Sequence, residues 1–200
     1  MLFKANVKPM LAMDTFERCK IQTRKNKGAE IEFRLGKKTM KMFDTNIGHD
    51  LFTKITTSLD KYTEWESVKK TDESVYYKGD YRIIIDNDTD NTVHQTKSKV
   101  YIEDFKLNGP LDVRFAVSKE ETCENKGCEM DREVRRTRTS YTRKGVQIDC
   151  TIVEGAPTDK DSETTKSYQV EVELLSVPAE DHELYNRMHK VMNLLSVLDQ

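Results

Sequence analysis

The chain has 200 residues, enough for one large domain or two small ones. With 36% hydrophobic and 34% charged residues it is poor in apolar side chains for a globular protein, yet strand patterns run through most of it. That combination excludes global disorder and points to a fold that keeps many charges inside. A formal net charge of −2 excludes a general electrostatic hold on nucleic acid, so any basic site must be local and matched by acids.

No apolar run is long enough to cross a membrane. The N-terminal MLFKANVKPMLAM lacks the apolar core and cleavage pattern of a secretion signal. A soluble intracellular protein is therefore expected, with Cys19, Cys123, Cys128 and Cys150 reduced. Cys123 and Cys128 flank a Glu-Asn-Lys-Gly turn with no paired Cys or His nearby to complete a zinc site, so they read as a thiol-bearing hairpin loop.

In chain order, Pro9 to Lys25 is a predicted helix with an apolar stripe of Met10, Met13, Phe16 and Cys19, ended by Asn26-Lys27-Gly28. A strand from Ala29 to Leu35 follows. A second helix, Gly48 to Tyr62, places Ile47, Leu51, Ile55 and Leu59 four apart, with Asn46 or Thr45 as its cap. From Trp65 to Leu175 the chain reads as β. Predicted strands are Glu66–Lys70, Ser74–Lys78, Tyr81–Asp86, Thr92–Thr96, Lys99–Leu107, Asp112–Glu121, Glu133–Thr142, Gln147–Glu154 and Tyr168–Leu175. Short turn signals such as Lys78-Gly79-Asp80 and Lys144-Gly145 imply an antiparallel meander. Gly155 to Ser167 is polar and acidic, as expected of a mobile loop. A last helix starts at Pro178-Ala179-Glu180-Asp181 and carries Leu184, Met188, Val191, Leu195 and Leu198 on one stripe.

Strand parity exposes the chemistry. In Glu30-Ile31-Glu32-Phe33-Arg34-Leu35-Gly36, alternate residues put Glu30, Glu32 and Arg34 on one face and Ile31, Phe33 and Leu35 on the other. Glu171-Val172-Glu173 repeats the pattern near the other end. Arg82; Asp112, Arg114, Ser118 and Glu120; Arg136 and Arg138; Gln147, Asp149 and Thr151 each mark the charged or polar face of a strand. An open sheet would turn those faces to solvent. A closed barrel would turn them into a polar lumen and set the apolar faces against helices outside. Closure also removes exposed edges, and the abundance of Arg and Glu over Lys on these faces favours it.

Glu30 and Glu32 lie roughly 7 Å apart along one strand. With Glu171 and Glu173 alongside, the cluster repels itself unless a divalent cation binds, and hard oxygen donors suit Mg²⁺ or Mn²⁺. Arginine forks opposite would hold a polyanion. The expected reaction is metal-dependent hydrolysis of a terminal phosphate.

Glu30-Ile-Glu32-Phe-Arg34-Leu-Gly36 resembles the first signature of the fungal and viral metal-dependent RNA 5′-triphosphatases, members of the triphosphate tunnel metalloenzymes. Glu171-Val-Glu173 resembles their last signature strand. Asp112-Val-Arg114-Phe-Ala-Val-Ser118-Lys-Glu120 is similar to their central strand, Arg136-Thr-Arg138 to their basic strand, and Asp149-Cys-Thr151 to the strand after it. The ordered set spans Ala29 to Leu175. Gln169, Arg136, Val134 and Gln147 depart from the pattern, which bears on the phosphate contacts more than on the metal site.

The resemblance implies an α+β, β-dominated fold over residues 1–200: one closed antiparallel eight-stranded β-barrel with helices packed outside. It implies removal of the γ-phosphate of 5′-triphosphate RNA in mRNA capping. Glu30, Glu32, Glu171 and Glu173 would hold the metal. Arg114 and Arg138 would act on the triphosphate, with Glu120 orienting the attacking water. Arg34, Arg82, Lys97, Lys99, Arg136 and Asp149 would bind substrate. No lysine-nucleophile motif is present, so a separate guanylyltransferase is the implied partner; a homodimer stays open, and the compact free-standing form suits the viral branch. Related tunnel proteins act on inorganic, thiamine or nucleoside triphosphates, and Arg34, where those commonly carry lysine, leans to the RNA branch. A non-catalytic barrel that binds phosphorylated RNA ends would need the arginines but not the carboxylates.

Overall fold

The computed structural model describes residues 10–155 and 165–199. Among these run nine strands: β1 (Glu30–Lys38), β2 (Phe43–Asp44), β3 (Ser67–Lys78), β4 (Tyr81–Asp86), β5 (Thr92–Phe105), β6 (Asp112–Thr122), β7 (Arg132–Arg143), β8 (Val146–Gly155) and β9 (Thr165–Leu174). The helices are α1 (Met13–Lys25), α2 (His49–Asp60), α3 (Asp181–Met188) and α4 (Lys190–Leu195), followed by a 3₁₀ turn over Ser196–Asp199. None is long and apolar enough to cross a membrane.

Eight strands pair in the order β1-β6-β5-β4-β3-β7-β8-β9, and β9 pairs back onto β1 through Glu32↔Glu173, Phe33↔Val172 and Arg34↔Glu171. Every ladder is antiparallel. The sheet is thus a closed eight-stranded barrel, with no free edge to template pairing. β2 lies outside it, pairing only with the end of β1. Because direction alternates around the ring, the C-terminal ends of β1, β3, β5 and β8 share one mouth with the N-terminal ends of β4, β6, β7 and β9.

The hydrophobic core lies outside the barrel, not within it. Outward side chains Ile31, Phe33 and Leu35 of β1, Val113, Phe115 and Val117 of β6, Ile148 and Cys150 of β8, and Val170 and Val172 of β9 pack with the helices in one cluster. Phe33 and Phe115 meet with ring centroids 5.1 Å apart. Onto this face α2 lays Phe52, Ile55 and Leu59, and the C-terminal segment lays Leu184, Met188, Val191 and Leu195. The outer faces of β3, β4 and the first half of β5 take no helix: Val68 and Val93 are exposed, and Asp72 pairs with Arg135 on the surface, whereas Tyr101 and Phe105 further along β5 pack against the cluster.

Several local expectations are corrected. The short strands expected at Glu66–Lys70 and Ser74–Lys78 are one strand, β3, and Thr92–Thr96 and Lys99–Leu107 are one strand, β5. β5 is continuous but irregular: its pairing with β6 slips between Lys99 and Tyr101, leaving Val100 as an extra residue. On α1 the buried stripe is Phe16, Cys19 and Thr23, while Met10 and Met13 stay exposed; Pro9 lies outside the described residues. Gly48, at φ 79°, occupies the cap position of α2. Asn46 instead accepts from the Gly48 and Tyr168 amides at 3.1 and 3.0 Å, tying the helix entry to β9. The C-terminal helix is tightened at His189 into two segments. β9 already begins at Thr165, and the rest of the expected loop, 156–164, lies outside the described residues.

Candidate active site: a charged tunnel

The inward positions of the eight strands enclose a cavity of about 540 Å³. Parity delivers charge to it. β1 contributes Glu30, Glu32 and Arg34; β6 contributes Arg114, Ser118 and Glu120; β7 contributes Arg136 and Arg138; β9 contributes Glu171 and Glu173. Arg82, Lys97, Lys99 and Asp149 complete the set, so the thirteen residues given a metal, substrate or catalytic role in the sequence all line one lumen, with Ser118 beside them. Among the described residues, eight acidic and eight basic side chains face it.

The four glutamates gather where β1 and β9 close the barrel. Glu32 and Glu173 are direct partners across that ladder, and Glu171 faces Arg34. Arg34 lies between two of them, its Nη2 2.8 Å from Glu32 and its Nε 3.0 Å from Glu171. Lys97 reaches Glu30, lies 3.8 Å from Glu32 and holds Glu120 at 2.9 Å. Ser118 donates to Glu30 at 2.8 Å. Burial, reinforced by Glu171, pushes the Glu32 carboxyl up to about 7 against the pull of Arg34 and Lys97. Burial likewise raises Glu173 to about 7, with Glu30, Asp149 and Glu32 adding to it. No ion pair reaches Glu173 among the described residues.

Most of the cations are pre-matched, Lys99 and Arg132 having no ion pair among the described residues. Arg82 donates to Glu120 at 2.7 Å, Arg136 to Glu73 at 2.7 Å, and Arg138 lies 3.3 Å from Asp149 while donating to Thr151 at 3.2 Å. Arg114 is held by Asp104 at 2.6 and 3.1 Å and lies 4.7 Å over the Phe43 ring. It therefore stands on the strand beside the carboxylates, not on the wall opposite them. Burial opposes ionisation of Glu120, but Lys97 and Arg82 outweigh it and hold this carboxylate down at about 2. Burial likewise works against the charge on Lys97, yet Glu32 and Glu30 raise it above the usual lysine value. Three buried atoms in the lumen, Arg34 Nε, Arg136 Nε and Asp149 Oδ1, make no hydrogen bond among the described residues, although Arg34 Nε lies 3.0 Å from Glu171. Buried polar atoms of this kind call for a partner from water, an ion or a ligand.

Glu73, Asp104, Tyr77 and Arg132 also line or adjoin the lumen and were not singled out in the sequence. Glu73 falls in the gap between the two short strands expected there. Asp104 is turned inward by the extra residue at Val100, which reverses parity along the second half of β5.

A divalent cation fits this donor set in kind: carboxylates alone, hard oxygens, clustered on two adjoining strands and crowded enough to raise two of them. Arg34 and Lys97 now bridge those carboxylates, and among the described residues no three acidic, His or Cys side chains are close enough to chelate one ion as they stand.

The family model of the mRNA capping enzyme beta chain matches residues 34–196, starting just after Glu30 and Glu32. No curated protein sequence matches. Among solved structures, the S. pombe Pct1 RNA triphosphatase aligns with a TM-score of 0.75 at 16% identity over 94% of each chain, also in its complex with the Spt5 CTD. A chain of the Schizosaccharomyces pombe Mediator head module aligns at 0.51 and 14% identity, over 84% of this chain and 94% of that one. These likenesses fix the tunnel fold. The family match over most of the chain fixes membership: this chain belongs to the mRNA triphosphatases, the beta chains of mRNA capping enzymes, and is an RNA 5′-triphosphatase.

Proposed function

We propose that this single tunnel domain hydrolyses the γ-phosphate of 5′-triphosphate RNA with Mg²⁺ or Mn²⁺ held by Glu30, Glu32, Glu171 and Glu173. The observation that carries the proposal is the direct pairing of Glu32 with Glu173 at the barrel closure, facing a lumen of arginines. When bound there, a divalent cation would polarise a phosphoryl oxygen and offset the charge spread over the transferred group.

The chain's own residues position the substrate. Arg82, Arg136 and Arg138 exchange Glu120, Glu73 and Asp149 for phosphate oxygens, and the unpartnered Arg136 Nε is available without any exchange. Lys99 and Arg34 add charge alongside, and Arg114, fixed by Asp104, presents its remaining donors. Phosphoryl transfer through a loose transition state asks chiefly for alignment and charge, so the attacking water needs orientation more than deprotonation. Glu120 suits that task. Lys97, the stronger of the two cations that lower it, still holds it ionised after Arg82 turns to phosphate, so it accepts a hydrogen bond without taking the proton. The diphosphate-ended product then passes to a separate guanylyltransferase.

The test is γ-phosphate release from triphosphate-ended RNA with and without each metal, comparing wild type with Glu32→Ala and Glu173→Ala. Losses on the order of 10²-fold or more are expected, the scale of losing one strong electrostatic contact to the transition state. Full activity in both variants, or activity without metal, overturns the mechanism. Far better hydrolysis of tripolyphosphate than of RNA would move the substrate assignment to the inorganic branch.

A further inference from the structure

The two mouths of the tunnel differ in chemistry. Glu30 opens β1, Glu120 is near the end of β6, and Glu173 is next to last in β9, so these acids stand at one end. Tyr77 is next to last in β3, Arg132 opens β7, and Arg114 is near the start of β6, all at the other end. Tyr77 and Arg132 are direct partners across the β3–β7 ladder, and the Arg132 guanidinium lies 5.2 Å from the Tyr77 ring centroid. Both line the lumen next to Arg82, the direct partner of Tyr77 on β4.

A second aromatic lies at the same mouth but is already used. Phe43 of β2 is buried against Gly36, where an added Cβ would come within 2.4 Å of its ring. Tyr77 is only half-buried, and its partner Arg132 is exposed. It is therefore the aromatic face available to a group entering the lumen. A flat ring backed by a guanidinium binds a nucleobase by stacking with little regard to sequence, which is what an enzyme acting on RNA ends of any sequence needs.

We infer that Tyr77, backed by Arg132, stacks the first nucleotide of the RNA at this mouth, so that the triphosphate threads inward past the arginines and presents its γ-phosphate to the acidic end. This inference rests on the RNA triphosphatase reading and adds to it the direction of threading and the residue that distinguishes RNA from free polyphosphate.

The test compares triphosphate-ended RNA with inorganic tripolyphosphate, which has no base. Tyr77→Ala should raise KM for RNA about tenfold with kcat retained, the lower part of the range for one stacked base, and leave the KM for tripolyphosphate unchanged. Tyr77→Phe should restore the RNA value. An RNA whose first base is 2-aminopurine should lose fluorescence on binding wild type and keep it on binding Tyr77→Ala. Equal losses on both substrates would make Tyr77 structural. An unchanged RNA KM, or no quenching with wild type, would remove the stacking role. Failure of the wild type to release phosphate from RNA would instead overturn the underlying reading.

Discussion

Asp104 faces Arg114 directly across the β5–β6 ladder, with Oδ1 2.6 Å from Nε, and it does so because Val100 is an unpaired extra residue four positions earlier. Were Val100 paired in regular register, period-two alternation would turn Asp104 outward and Glu103 inward. Outside, Glu103 instead takes Arg18 of α1 at 2.8 Å and Tyr101 at 2.9 Å. One residue thus serves two contacts on opposite sides of the barrel wall.

Asp104→Ala leaves the half-buried Arg114 charge without its fork. A loss of about 1–3 kcal/mol of stability is expected, the cost of stranding a charged hydrogen-bonding group, with Asp104→Asn losing less. Deleting Val100 should cost less than Asp104→Ala, since it joins Lys99 to Tyr101 in a regular ladder and leaves every side chain from Tyr101 to Phe105 on its native face. Urea denaturation of the three variants gives the order; a deletion costlier than Asp104→Ala would show that the bulge holds the wall by more than the register it sets.

Gly36→Ala places a methyl 2.2 Å from the Asp44 carbonyl oxygen and 2.4 Å from the Phe43 ring. The backbone atom cannot rotate away, so β2 must detach from β1. Stability should fall by about 1–3 kcal/mol, as for other overpacked sites. Amide exchange should rise at Asp44 and at Lys37, its partner across the ladder. Unchanged protection there would show that β2 adapts in place.

Lys97 competes with any cation for Glu30 and Glu32. At 4 Å, one unit charge is worth roughly 4 kcal/mol before desolvation in a medium of effective dielectric 20. Lys97→Met should therefore tighten Mn²⁺ binding about tenfold, a fraction of that raw figure, while kcat on RNA falls because Glu120 loses a holder. Calorimetric titration measures the first and phosphate release the second. Weaker Mn²⁺ binding would argue that Lys97 organises the carboxylates instead of competing for them.

Burial raises the Cys19 thiol up to about 12, and the same cause raises Cys150. The folded state therefore holds these protons more tightly than the unfolded chain, whose thiols titrate near 8.5. Their contribution is fully present below about pH 8.5 and is lost as pH rises through the folded values. The melting temperature should decline above about pH 9, less steeply in Cys19→Ala if that variant folds. At neutral pH, exposed Cys128 should alkylate first, with Cys19 and Cys150 protected until denaturant is added. Early labelling of Cys19 would mean that α1 opens locally.

The lumen was legible in the sequence because a strand's period is two: parity alone sent Glu30, Glu32 and Arg34 one way and Ile31, Phe33 and Leu35 the other. It failed where alternation is broken or a strand is misjudged. Asp104 was hidden by the bulge at Val100, and Glu73 by reading the polar Thr71-Asp72-Glu73 as a gap. Tyr77 was passed over because it stands beside Tyr76, and two adjacent aromatics do not show which of them faces which wall. β2 is too short to have a period. Of the expected stripe of Met10, Met13, Phe16 and Cys19, the last two are buried against the barrel and the first two are exposed.

The eight acids and eight bases facing the lumen have a kinetic consequence. An inner salt of this kind exerts little long-range pull on a polyanion. The tunnel should work as an exchanger, in which each phosphate oxygen that arrives releases a carboxylate already seated on its arginine. Capture would then be governed by the swapping of partners at short range. Moderate salt should slow binding only slightly, whereas polyanions able to make the same swaps, sulfated chains included, should block the channel.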